Sequence, residues 1–305
     1  MIAIVLMLSA GMEDAACIRV LPQVRKAVQM AGAGKLAEAE GLLQSLPEDS
    51  SGCAAAVVAA GRLELAKSNY DRANSLSERA LSEAPSDPGA LALRGQMLAM
   101  QGRAAEGREM LERAVALYAG DAEAWFQLGV IYDRAKLNDR AVAAFRNAAR
   151  LRPNDPRAYD YLALNLEPLG RIAEADEAYK NGLAVNHAPL FDWFLDYNYG
   201  RLLLKLNRLP ESKVHLDKAV ELAPRLRATH YDHAKLNLRL GDLAGARGDA
   251  EKALEIADNR GLILDLQVYS LLAQIYARLG DQEMAKKYGA LSENTPVPPR
   301  IEDRK

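Results

Sequence analysis

The sequence is poor in the residues from which most chemical sites are built. Its 305 residues include 2 cysteines and 4 histidines. No Cys-x-x-Cys spacing occurs, which excludes a zinc ribbon and a thioredoxin-like redox site. No His-Glu-x-x-His, EF-hand loop, P-loop or Gly-x-Ser-x-Gly elbow is present, and no acid pair sits in a cleft-like context. These absences point away from an enzyme and from any cofactor or small-molecule substrate. A basic surplus is also missing: 39 Lys and Arg stand against 41 Asp and Glu, for a net charge of -2, which argues against a nucleic-acid partner. Long apolar runs are lacking too. Ile2 to Leu8 is apolar but too short to span a bilayer. Runs of alternating β-branched residues are absent, so a sheet has no sequence support.

What is present is apolar and regular. Half the residues are hydrophobic (50%), alanine is abundant, and glycine is scattered through the apolar segments. That combination favours closely packed helices. The stretch AWFQLGVIY, Ala124 to Tyr132, puts Trp125, Leu128, Gly129 and Tyr132 at i, i+3, i+4 and i+7, on one helical face. A glycine there costs a helix interior about 1 kcal/mol, so its place needs a reason. Shifting the block by 34 residues supplies one. Gly129 meets Gly95 and Gly61 upstream and Ala163 downstream, and Ala141 meets Gly107, Ala73, Ala39 and Ala175. The register slips by three near Pro189 to Asp192 and by five near Gly261 to Asp265. Eight units result, beginning near Val20, Ala54, Pro88, Ala122, Pro156, Trp193, Arg227 and Leu266. In all eight, two places carry only Ala, Gly or Ser.

Each unit reads as helix, turn, helix. Turn residues sit at the midpoints: Ala-Gly-Lys before Leu36, Ser68-Asn69, Gln101-Gly102, Leu137-Asn138, Gly170, Asn207, Gly241 and Gly280. Between units, Asp87-Pro88 and Asp155-Pro156 place an Asp N-cap ahead of a proline at the first helical position, where its missing N–H costs nothing. Pro210 opens a second helix, and Pro168 is expected to end a first helix a turn early.

Trp125, Leu128, Gly129, Tyr132, Ala141, Phe145, Ala148 and Pro153 match every signature place of the tetratricopeptide repeat, and the chain resembles that family over about nine-tenths of its length. The resemblance implies an all-α α-solenoid of about eight helix-turn-helix repeats in a right-handed superhelix, the first helix of each pair lining an inner groove. A lone pair cannot bury its apolar face, so neighbours must stack. Small residues let helix axes approach, and the rings of Trp125 and Tyr132 are expected to fill the wedge between pairs. The expected domains are an apolar segment over 1–19, the repeats over 20–294 and a Pro-rich polar tail over 295–305.

In this family the inward places of the first helices form the binding surface. The first three units give a mostly apolar or small lining, Val24, Val28, Val58, Arg62, Leu65, Ala92 and Gln96. The candidate partner-binding residues lie further along: Phe126, Val130, Asp133 and Tyr161, then Phe194, Tyr197, Asn198, Arg201, Tyr231, Lys235, Arg239 and Gln274. Aromatic rings flanked by Arg and Asn suit an extended peptide, the rings giving contact area and Arg a fork for a carboxylate. About half the rings of FDWFLDYNYG, Phe191 to Gly200, are expected to be structural. Some family members hold a C-terminal carboxylate in a Lys/Asn clamp; Val24, Val28 and Ala59 occupy the matching places here and exclude it. His230 and His233, at i, i+3, read as packing residues rather than metal ligands.

Cys17 and Cys53 precede equivalent helices and are placed for a disulfide if the N-terminal segment folds across. That pair and the apolar N-terminus favour an exported, periplasmic protein, although no Lys or Arg precedes the apolar run. The alternative is a cytoplasmic chain whose N-terminal helix packs on the first repeat, and membrane contact is expected only through this segment. The tail after Glu293 reads as a chain end, against a regulatory piece of a larger enzyme. The leading expectation is a non-enzymatic scaffold that binds a protein or peptide in its groove. The alternative is an accessory or sensor subunit of a bacterial envelope or secretion assembly.

Overall fold

The computed structural model describes residues 15–50, 52–187, 191–257 and 263–296. Among these residues are sixteen α-helices and no strand. Two compact units divide the chain: one comprises residues 1–178 and 185–191, the other 179–184 and 192–305. Unit 1 contains α1 (Ala15–Gly32), α2 (Leu36–Gln44), α3 (Ala54–Ala66), α4 (Tyr70–Glu83), α5 (Pro88–Met100), α6 (Ala104–Leu117), α7 (Ala122–Arg134), α8 (Asn138–Leu151) and α9 (Pro156–Leu166). The boundary falls inside α10 (Ile172–Val185). Unit 2 contains α11 (Phe194–Lys205), α12 (Leu209–Leu222), α13 (Arg227–Leu240), α14 (Leu243–Glu255), α15 (Asp265–Leu279) and α16 (Gln282–Asn294). The chain is thus an all-α solenoid of paired helices.

The start and stop signals act as their chemistry requires. Asp87, Asp121 and Asp155 each cap a first helix, accepting from Ala90 N, from Glu123 and Ala124 N, and from Arg157 N, respectively. Pro168 follows the end of α9, which stops at Leu166. One residue per pair takes a positive φ at the midpoint: Gly34, Ser68, Gly102, Lys136, Gly170, Asn207, Gly241 and Gly280. In the fourth pair the left-handed residue is Lys136, one place before the expected Leu137-Asn138 turn. The first described helix, Ala15–Gly32, includes residues 15–19. The lead to residue 14, the tail from 297, and part of each expected register slip, at 188–190 and 258–262, lie outside the described residues.

The small places mark where helices meet. A Cβ added to Gly129 would stand 2.7 Å from Cε1 of Phe145, across the α7–α8 pair. One added to Gly95 would stand 2.9 Å from the Gly107 carbonyl oxygen, and one on Gly200 would meet Leu216 at 2.8 Å. Ser212 uses its small size differently, donating its hydroxyl to the Gly200 carbonyl at 2.8 Å. Ala273 and Ala285, in the last pair, are only half-buried, because no further pair is stacked on them among the described residues. Tyr132 is buried and donates to Glu112 Oε1 on α6 at 2.8 Å, filling the wedge as expected. Trp125 does less: it is half-buried and donates Nε1 to the Ala119 carbonyl in the loop before its own helix.

Candidate functional site

Within unit 1, the first helices α1, α3, α5 and α7 carry two adjoining cavities. The smaller, about 270 Å³, is floored by Leu21, Val24, Val28, Val58, Ala59 and Pro88. Its acids are already engaged: Asp87 caps α5, and Asp121 caps α7 and pairs with Arg62 Nη2 at 2.5 Å. The larger, about 350 Å³, runs over Leu65, Gln96, Glu123, Gln127, Arg152 and Arg157. Val28, Ala59 and Arg62 line both, so the Arg62–Asp121 pair stands where the two cavities meet. Asp121 raises the Arg62 guanidinium above its ordinary range. Burial opposes ionisation of Asp121, yet the charge of Arg62 and the N–H groups of Ala124 and Glu123 hold its carboxyl below the usual range. The pair is a fixed charge pair across three repeats, a buttress rather than a spare binding group.

The sequence-expected residues of unit 1 fall partly on this face and partly in the core. Phe126 is 7% exposed and meets Phe145 and Tyr161 edge-on, at centroid distances of 5.6 and 5.5 Å. Tyr161 is half-buried and stacks on Phe145 at 5.2 Å. Arg157 covers Phe126 at 4.9 Å while its guanidinium grips Asp155 at 2.9 and 2.6 Å. Val130 and Asp133 are half-buried. Phe126 and Tyr161 therefore make the core beneath the face, and Arg157, which sequence reasoning passed over, makes the surface above it. The signal was present: an arginine two places after an N-cap aspartate, as in Asp155-Pro156-Arg157, can fold back on its carboxylate.

In unit 2 the expected residues come together on α11 and α13. Tyr197 is buried and donates its hydroxyl to Asp232 Oδ2 at 2.9 Å, and Lys235 Nζ donates to Asp232 Oδ1 at 2.9 Å. Burial, then the Asp232 charge, pushes the Tyr197 hydroxyl well above the ordinary tyrosine range. Arg201 lies over the Tyr197 ring at 6.0 Å and Lys235 over Tyr231 at 5.2 Å. Asn198 is buried. Phe194 is half-buried and stacks on Trp193 at 3.8 Å. Arg239 donates Nη1 to the Leu204 carbonyl at 2.6 Å, and Arg278 does the same to Leu238 at 2.7 Å. Both arginines thus add a second donor to a carbonyl in the last turn of the preceding first helix, which also accepts from the N–H of Asn207 or Gly241. Gln274 is exposed on α15.

The histidines do more than pack. Asp249 on α14 accepts from His230 Nδ1 at 3.1 Å, His233 Nδ1 at 2.7 Å and Asn237 Nδ2 at 3.0 Å. His233 Nε2 also meets Asp217 Oδ1 of α12 at 2.9 Å, and His230 Nε2 meets the Pro224 carbonyl at 3.1 Å. Burial works against both charges, but the hydrogen bonds from the two histidines lower the Asp249 carboxyl to about 2. In the same way the bonds and charges of Asp249 and Asp217 outweigh burial and raise His233. Sequence placed these rings correctly on a packing face and could not see Asp249, which lies in the following helix.

The cysteines are joined: the structure contains a Cys17–Cys53 disulfide, with Cα atoms 5.1 Å apart at a sequence separation of 36. It ties the start of α1 to the N-cap of α3 beside Val20, Val24, Ala56 and Ala59.

Paired helices with a small residue at each close approach, and an inward face built from the first helix of each pair, define an α-solenoid repeat protein. Models of the tetratricopeptide repeat match residues 64–125, 101–156, 197–226 and 266–288, and the chain is a tetratricopeptide repeat protein. It is similar to Protein FlbA of Caulobacter vibrioides, 28% identical over 143 residues, which cover 47% of this chain and 24% of FlbA. It is also similar to the human PEX5-related protein, 26% identical over 183 residues, which cover 58% of this chain and 28% of that protein. The chain therefore spans about a quarter of the length of these relatives. Among solved structures, Pseudomonas aeruginosa PilF aligns with a TM-score of 0.58 at 16% identity, covering 78% of this chain and 97% of PilF. PilW, described as a widely conserved type IV pilus biogenesis factor, aligns at 0.58 and 20%, covering 70% and 96%. At that identity the likeness speaks for the fold alone.

Proposed function

We propose that this protein is a non-enzymatic scaffold that holds an extended segment of a protein partner on the inward faces of its first helices. The observation that carries the reading is the pair of cavities in unit 1, which joins an apolar floor to a polar, arginine-bearing floor along one continuous face. An extended peptide can seat an aliphatic side chain in the first and set backbone amides against Gln96 and Gln127 in the second. In unit 2 the proposed contacts are Arg201, Tyr231, Lys235 and Gln274, with Tyr197 and Asn198 as their buried support. An acidic or C-terminal group of the partner would then have to compete with Asp232 for Lys235.

The test is capture of partners from the source cell by the intact protein and by two variants. Val58→Trp fills the smaller cavity, and Arg201→Glu with Lys235→Glu reverses the charge of the second face. Loss of the same partner with helicity unchanged by circular dichroism is expected. Full retention by both variants would sink the groove reading.

A second reading is an accessory subunit of a bacterial envelope assembly. It is favoured by the disulfide, which persists in oxidising compartments. PilW, described as a type IV pilus biogenesis factor, shares the fold with this chain. Mass determination of the mature N-terminus separates the compartments: a cleaved N-terminus ahead of Cys17 supports export, and a retained Met1 supports a cytoplasmic scaffold.

A further inference from the structure

We propose that the Cys17–Cys53 disulfide is a redox lock on the binding face of unit 1, so that its reduction loosens the wall that α1 gives to both cavities. The proposal rests on the groove reading above. α1 supplies Leu21, Val24, Arg25 and Val28 to the smaller cavity and Ala27, Val28 and Ala31 to the larger. It is the first described element and packs on α2 and α3. Its own continuity is weak. Pro22 lies inside it, removing one backbone hydrogen bond and crowding the turn before. The turn ahead of Pro22 carries Ala16, Cys17 and Val20, and it is held to α3 by the disulfide and a small cluster of Val20, Val24, Cys53, Ala56 and Ala59. Before Pro22 the helix buries only Ala16 and Val20, and the proline withholds one of its hydrogen bonds, which puts this first turn and a half at the low end of local stability once the covalent tie is gone.

The geometry also sets the order of bond exchange. Cys17 is half-buried and can be reached, whereas Cys53 is 3% exposed at the N-terminus of α3. A thiolate of an external dithiol attacks Sγ of Cys17. A new sulfur–sulfur bond forms, the Cys17–Cys53 bond breaks, and its electron pair leaves on Sγ of Cys53. The free N–H groups at the start of α3 favour that thiolate. The second thiol of the reductant then displaces Cys17 and closes a cyclic disulfide. Two electrons and two protons have passed to the protein, one proton to each cysteine.

The test is hydrogen exchange of the full chain, oxidised, treated with dithiothreitol, and as the Cys17→Ser/Cys53→Ser variant. Amides of residues 15–32 are expected to lose protection at least tenfold in both the reduced protein and the variant, with α7 and α13 unchanged within twofold. In parallel, N-acetyl-leucine methylamide is titrated into valine-methyl-labelled protein. Shifts at Val24, Val28 and Val58 are expected in the oxidised state only. Unchanged protection of α1 on reduction overturns the lock. Equal probe shifts in both states overturn the gating. If α1 loosens and the probe moves nothing in either state, the lock on α1 stands and the groove reading fails.

Discussion

Gly129→Ala sets two opposing effects against each other. The substitution removes a helix-interior glycine from α7, which by propensity alone stabilises by about 1 kcal/mol. The added methyl, however, would lie 2.7 Å from Cε1 of Phe145 and 2.8 Å from its Cδ1 and Cζ. The ring is fully buried and cannot swing aside, since Tyr161 stacks on it at 5.2 Å and Phe126 meets it edge-on at 5.6 Å. Overpacking of this kind costs about 1–3 kcal/mol, and flat contact with a locked ring belongs in the upper half of that range. A net loss of about 1–2 kcal/mol is expected once the propensity gain is subtracted. Gly41→Ala is the control. It too is helical and in unit 1, and its added methyl meets nothing within 4 Å, so it should stabilise. The assay is urea unfolding followed by Trp125 fluorescence in a Trp193→Phe background, which reports unit 1 alone. Phe145→Leu should relieve part of the Gly129→Ala penalty, a coupling the double-mutant cycle measures. If Gly129→Ala is as stable as its parent, the close approach is not what selects glycine at this place.

Two further outcomes concern the ends of the molecule. The Asp249 cluster should make the stability of unit 2 depend on pH. Asp249, lowered to about 2, contributes stability that is present above the ordinary carboxylate range and lost as pH falls through its folded value. His233, raised, contributes stability that is complete below its unfolded value near 6.5 and lost as pH rises through its folded one. The urea midpoint read by Trp193 should therefore be highest between about pH 4 and 6.5 and fall on the alkaline side. The alkaline fall should vanish in His233→Gln, and its persistence there would remove the cluster as the cause. At the other end, the disulfide closes a loop of 36 residues, which the chain-entropy model values at about 4 kcal/mol. Cys17→Ser/Cys53→Ser should lower the stability of α1 and α2 by about that amount and leave α9 unaffected in hydrogen exchange; uniform loss across unit 1 would contradict the local account.

The paired helices were legible because the information that specifies them is local and repeated. A glycine or alanine must stand wherever a partner helix comes within van der Waals reach, and that demand recurs each time the chain completes a pair. Gly129 and Ala141 announce the fold together where either alone would not. The inward face was legible as positions but not as energies. Val24, Val28, Val58 and Arg62 were assigned to the groove, and the structure puts all four on cavity walls. Their number in the repeat could not tell that Arg62 is already committed to Asp121, 59 residues away. The same limit governs His233, whose partner Asp249 on α14 decides whether a charge is on offer or already bound. Periodicity gives the direction of a side chain. Its availability depends on which neighbour reaches it first, and that neighbour lies in another helix. The bet on an aromatic, basic half therefore shifts in weight: its rings and cations are largely engaged with one another, while the plain apolar lining of the first repeats is the part left open for something else to fill.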